Sequence, residues 1–154
     1  MSESYRVKIQ VPETIVEREG QTEKRLKSDS DYVQTSWRVL GVPFGGPIQG
    51  RDLDGEAFTD ATDIWLKKGD QVNLTYYHGF GPDAPNEKQS PPALIGRAVY
   101  AGKDTRGHWF EPMLDPTEPL AMRLMNAGIE SLRASSGAIN HLVRKEAGGI
   151  ISVW

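Results

Sequence analysis

Apolar side chains alternate with polar ones through segment after segment of this chain, and that period of two is what most narrows the folds open to it. Tyr5, Val7, Ile9 and Val11 alternate with Arg6, Lys8 and Gln10. Val33, Thr35, Trp37 and Val39 alternate with Gln34, Ser36 and Arg38 within Tyr32 to Val42, and Val72, Leu74 and Tyr76 with Asn73, Thr75 and Tyr77 within Gln71 to Tyr77. Such spacing puts each set on one face of an extended strand, so one face can be buried while the other stays wet. Ala93 to Ala101 and His108 to Leu114 read as a hairpin through the polar turn at Lys103 to Gly107, and Ala138 to Lys145 and Ile150 to Trp154 as another through Ala147-Gly-Gly149. With 16 glycines and 10 prolines in 154 residues, the chain has the turn content that so many strands require.

Helical signals are fewer. Phe58, Ala61, Ile64 and Trp65 fall near one face of a helix, which predicts a short one over Phe58 to Leu66. Asp115-Pro-Thr-Glu118 is a capping-box start, with Thr117 a competing cap because Pro119 follows. Ala121, Leu124 and Met125 then share a face, Met122 and Met125 read as core packing, and Gly128 is a natural stop. Pro112 has no N–H to give a ladder, so its strand should end there or lie at an edge. Glu17 to Ser30 is charged and polar and reads as an exposed hairpin or connection. Pro43-Phe-Gly-Gly-Pro47 is a sharp turn, and no Gly-Lys-Ser/Thr follows it to make a phosphate loop.

Composition removes several function classes. A length of 154 residues suits a single domain, 1–154. The net charge of −3 offers no basic footprint for nucleic acid. Without cysteine there is no disulfide, thiol nucleophile or cysteine-ligated zinc. No segment reads as a signal peptide or a membrane span, which leads to the expectation of a cytosolic setting with no membrane partner. Asp52, Asp54 and Glu56 around Gly55 resemble a calcium loop but lack the downstream glutamate, so no metal and no cofactor is expected. The three histidines and the carboxylates show no zinc or facial-triad spacing.

The chemistry points elsewhere. Ser135 and Ser136 lie together between an apolar segment and Gly137, where a hydroxyl can be presented with little steric cover. A serine hydroxyl attacks only when a base takes its proton. His78, at the end of the Gln71 strand and before Gly79, has the backing of a sheet and access to solvent. Ordinary surface histidines occupy such positions as well. The long Gly81 to Pro92 loop that follows is a place for part of a substrate groove.

From Trp37 to Trp154 the sequence resembles the tailed-phage prohead (head maturation) serine proteases, a family similar in fold to herpesvirus assemblin. The residues that carry the resemblance are Asp52-Leu-Asp-Gly-Glu56, Tyr77-His78-Gly79, Leu94-Ile-Gly-Arg97, Asp104 to Gly107 with Trp109-Phe-Glu111, and Ala134-Ser-Ser-Gly137, in the family's order. The resemblance implies His78 as general base and Ser135 as nucleophile, with Ser136 in reserve. It implies an α+β fold, an antiparallel β-barrel flanked by helices. It further implies cleavage of phage scaffold and major capsid proteins, including self-cleavage, inside the immature capsid in the cytoplasm of an infected bacterium, and leaves room for a homo-oligomer.

A third catalytic residue is missing from the pattern. In phage relatives the resemblance implies an acidic residue in the strand after a tryptophan like Trp154, so the protease-like domain is expected to lack its C-terminal strand. His141 is too near Ser135 in sequence to reach around to His78, and His108, Asp104 and Glu111 are substitutes without a spacing argument. A catalytically inactive protease-fold protein with a structural or assembly role in the capsid is the competing expectation.

Overall fold

The computed structural model describes residues 13–18, 21–76, 94–127, 136 and 142–154, with the side chains of 13–18 and 21–26 left aside. The architecture is α+β: ten strands and one α-helix among the described residues. β1 (Glu13–Arg18) and β2 (Gln21–Leu26) form an antiparallel hairpin, which fills the connection expected from Glu17 onward and begins earlier than its charged composition suggested. The expected strand at Tyr5 to Val11 lies outside the described residues.

The central sheet has five strands in the order β3-β8-β7-β6, with β4 pairing β8 beside β3. β3 is Val33–Gln34, β4 Val39–Pro43, β6 Gln71–Thr75, β7 Leu94–Asp104 and β8 Gly107–Leu114. The β7–β8 hairpin has the expected polar turn, and Asp104 pairs with Gly107 across it. Gly96 allows the two strands to approach: a Cβ there would lie 2.0 Å from the Met113 carbonyl oxygen.

Two expectations fail here for one reason. Tyr32 to Val42 is not one strand but two, and β8 runs through Pro112 at the centre of the sheet instead of ending there or lying at an edge. The Pro112 carbonyl accepts from the Thr35 backbone N–H at 3.3 Å and from Thr35 Oγ1 at 2.8 Å. A strand residue turns its nitrogen to the same side as its carbonyl. The proline nitrogen therefore faces the interval between β3 and β4, where no ladder bond is lost.

The predicted helix over Phe58 to Leu66 is a strand, β5 (Ala57–Asp63), in a second sheet ordered β5-β10-β9 with β9 at Arg144–Glu146 and β10 at Ile150–Val153. Ala61, which helical spacing would bury, is exposed, whereas Ala57 and Thr62 are buried. β-Branched Thr59 and Thr62 favour extended backbone, and the parallel partner β10 comes from the far end of the chain, which a local pattern cannot reveal. The β9–β10 hairpin turns at Ala147–Gly149 as expected, with Gly148 and Gly149 at φ +77 and +78, which a side chain would resist. Among the described residues its first strand is paired from Arg144 onward, and Ala138 to His141 of the expected strand lie outside them. Among the described residues no pairing closes a sheet into a barrel.

Two core clusters lie along the β7–β8 pair. Ile95 and Leu114 pack with Ala121 of α1 (Pro119–Ala127), joined by Trp37, Leu74, Leu120, Leu124 and Met125. Ala98, Tyr100 and Phe110 form the other, covered by Val39, Ile64, Leu66 and Val72. Met125 is thus a packing residue as expected, while Met122 is exposed. The helix begins at Pro119; Asp115 turns the chain just before it, accepting from the Thr117 N–H at 2.9 Å.

Candidate functional site

Of the Ser-Ser pair, Ser136 is described, and it is tied to the end of β10. After β10 the Trp154 N–H donates to the Asp63 carbonyl at 2.9 Å, extending the parallel pairing with β5 by one bond. The Trp154 ring stands edge-on against Phe58, centroids 5.0 Å apart and planes at 80°, an arrangement that aromatic quadrupoles favour. Its Nε1–H donates to Ser136 Oγ at 3.0 Å. Beneath it, buried Thr62 donates from Oγ1 to the Ile151 carbonyl at 2.6 Å and accepts from the Thr59 N–H at 2.9 Å, so no hydroxyl or carbonyl in this pair is left unpartnered.

Ser135, His78, His141 and Gly137 lie outside the described residues, as does the Gly81 to Pro92 loop. β6 carries the chain toward His78 as the alternation predicted, but it ends at Thr75 after a register shift at Leu74, short of Tyr77.

The three substitutes for a third catalytic residue are engaged elsewhere. Asp104 pairs with Arg106 at 2.9 Å, and the nearby Trp109 indole, with the Arg106 backbone N–H donating at 2.8 Å, holds its carboxyl well below the usual carboxylate range. Glu111 sits 3.7 Å from Arg38 on the exposed side. His108 is buried on β8, its Nδ1 2.7 Å from the Tyr100 hydroxyl; burial, then nearby Lys103, pushes its pKa down, with Asp60 opposing.

The acidic loop has a local explanation. Asp52 Oδ1 accepts from the backbone N–H groups of Asp54 at 2.9 Å and Glu56 at 2.8 Å, which fixes the turn through Gly55. Glu56 pairs with Lys145 of β9, and Arg51 donates to the carbonyls of Gly55 and Gly148, so the loop buttresses the β9–β10 hairpin. Among the described residues no group of three histidine or acidic side chains is placed to hold a metal.

A shallow, open cavity of about 520 Å³ is lined by Phe44, Asp60, Lys103, Asp104 and Thr105. Its lining contains no nucleophile beside a base. The contact that sequence reasoning missed is Trp154 holding Ser136. Its only signal was an aromatic residue at the end of an apolar strand, which is common in any sheet.

Comparison with models of known families, with curated proteins and with solved structures finds no match for the chain.

Proposed function

We propose that the chain is a serine endopeptidase in which His78 acts as general base and Ser135 as nucleophile. The observation that carries the choice between the serines is the Trp154 bond. Ser136 Oγ already accepts an indole N–H, and a lone pair drawn toward a donor is a weaker nucleophile. Ser136 in this reading is the anchor that fixes the segment, and its neighbour does the chemistry.

His78 takes the proton of the Ser135 hydroxyl as it attacks a peptide carbonyl, and returns a proton to the leaving amine; water then releases the acyl group by the same steps. Backbone amides stabilise the oxyanion, each worth roughly a hundredfold or more in rate. The ordered motifs support a head maturation role, with scaffold and major capsid proteins as substrates inside the immature capsid, in the cytoplasm of the bacterial host. In this reading the sheets belong to an assemblin-like antiparallel barrel flanked by helices.

The inactive, assembly-protein reading draws on three polar residues of the motifs that have scaffold partners: Asp52 its own loop, Arg97 the Gln71 side chain, and Asp104 Arg106. Labelling with a fluorophosphonate probe, mapped by peptide mass spectrometry, separates the two. The endopeptidase labels at Ser135, keeps labelling with Ser136→Ala and loses it with His78→Ala. Absence of label in folded protein overturns the enzyme reading, and label at Ser136 overturns the assignment of the nucleophile.

A further inference from the structure

The two larger sheets meet at a small joint. Beyond β4, the Gly45 N–H donates to the Phe58 carbonyl of β5 at 3.0 Å, and Phe44 forms a parallel bridge with Phe58. Lys103 of β7 reaches across to Asp60 of β5, 2.7 Å from its carbonyl oxygen and 3.0 Å from its carboxylate. His108 lies beneath this joint. It pairs in register with Val42 of β4 and Lys103 of β7, and its ring meets the edge of Phe44 at 5.3 Å between centroids.

His108 is 3% exposed, and among the described residues its Nε2 has no hydrogen-bond partner. Tyr100 occupies Nδ1. The charged and titratable groups facing it are Tyr100 and Lys103 from β7 and Asp60 from β5; Val42 of β4 and Phe44 just beyond it are apolar. Asp60 pairs with Lys103, so it is not a free counter-ion for an imidazolium.

We infer that His108 is a proton-sensitive latch on this joint: its protonation loosens the Phe44–Phe58 connection and, through the Phe58–Trp154 ring contact, the Trp154–Ser136 bond. A buried imidazolium with no acceptor at Nε2 repels Lys103 and is stabilised by nothing equivalent, whereas in an opened joint it is hydrated. The closed joint therefore binds fewer protons than the open one. Its population holds above about pH 6.5, the ordinary histidine value, and falls as the pH drops below it. One unit below that value the shift toward the open form is at most about tenfold.

Hydrogen exchange followed by mass spectrometry reads this directly on the peptides containing Phe44, Gly45 and Phe58, with intrinsic exchange rates corrected for pH. Protection there is expected to fall, by at most about tenfold, between pH 7.5 and 5.5, while that of β7 and β8 away from the joint stays level. His108→Phe, which keeps an aromatic ring against Phe44 and leaves His78 and His141 in place, should abolish the fall. The same loss of protection in His108→Phe, or none in the unsubstituted protein, overturns the inference. Side-chain NMR of His108 in the unsubstituted chain stands independently of how the variant folds. A titration midpoint below about 6.5 is expected, and one at or above it overturns the latch.

Discussion

Trp154 and Ser136 are joined by one hydrogen bond, indole Nε1–H to hydroxyl oxygen at 3.0 Å, and that bond ties Ser136 to the residue that follows β10. Trp154→Phe keeps a ring beside Phe58 but removes the donor; Ser136→Ala removes the acceptor. A double-mutant cycle in urea should give a coupling of about 1 kcal/mol, the net worth of one such bond. Fluorophosphonate labelling of Ser135 should slow in Trp154→Phe. Unchanged labelling with the coupling present would make the bond structural only.

Thr62 gives the second test. Its hydroxyl is 4% exposed and joins β5 to β10 through the Ile151 carbonyl. Thr62→Val keeps the shape and strands that carbonyl and the Thr59 N–H. A loss of about 1–3 kcal/mol is expected in urea unfolding, with the β5–β10 peptides losing hydrogen-exchange protection first.

The hairpins were legible from sequence because their information is local. Lys103 to Gly107 and Ala147-Gly-Gly149 carry turn residues between alternating runs, and both turn where expected. The two mistaken segments depend on partners distant in sequence. Ala57–Asp63 is a strand because β10 pairs with it, and no window around Phe58 contains Ile151. Pro112 tolerates a central strand because Thr35 meets its carbonyl where β3 gives way to β4. The expectation for the serine pair and His78 rests on residue type and motif order, and of these only Ser136 lies among the described residues. The Trp154 anchor was not expected, because an aromatic at a strand end has many ordinary uses.

Gly96 tests whether Leu94-Ile-Gly-Arg97 is a packing motif. The Met113 carbonyl would lie 2.0 Å from an added Cβ, with the Leu114 Cα at 3.0 Å, and both are backbone of the paired strand. Neither can rotate away. Gly96→Ala should cost about 3 kcal/mol or more by overpacking, read as a lowered urea midpoint at unchanged slope. A change under about 0.5 kcal/mol, the ordinary surface range, would mean that the β7–β8 pair relaxes freely at this point.

Lys27 and Asp115 make a buried ion pair between the end of the β1–β2 hairpin and the turn before α1, with side chains 6% and 8% exposed. Burial raises the Asp115 carboxyl, but the Lys27 ammonium and two hydrogen bonds from Thr117 outweigh it and hold its pKa below the ordinary value. A depressed native pKa means that the unfolded chain binds the extra proton. The pair's stability is therefore present above about pH 3.9 and lost as the pH falls through the lower native value. Lys27→Met should cost about 3–5 kcal/mol at neutral pH, because it leaves a buried carboxylate facing only Thr117. It should also flatten the loss of stability below pH 4, since the main source of the depression is gone. Adding Asp115→Asn to Lys27→Met removes the stranded charge and should recover part of the loss. Chemical unfolding of the three proteins at pH 7 and pH 3 checks this, and an equal acid sensitivity in all of them would assign the acid limb to other carboxylates.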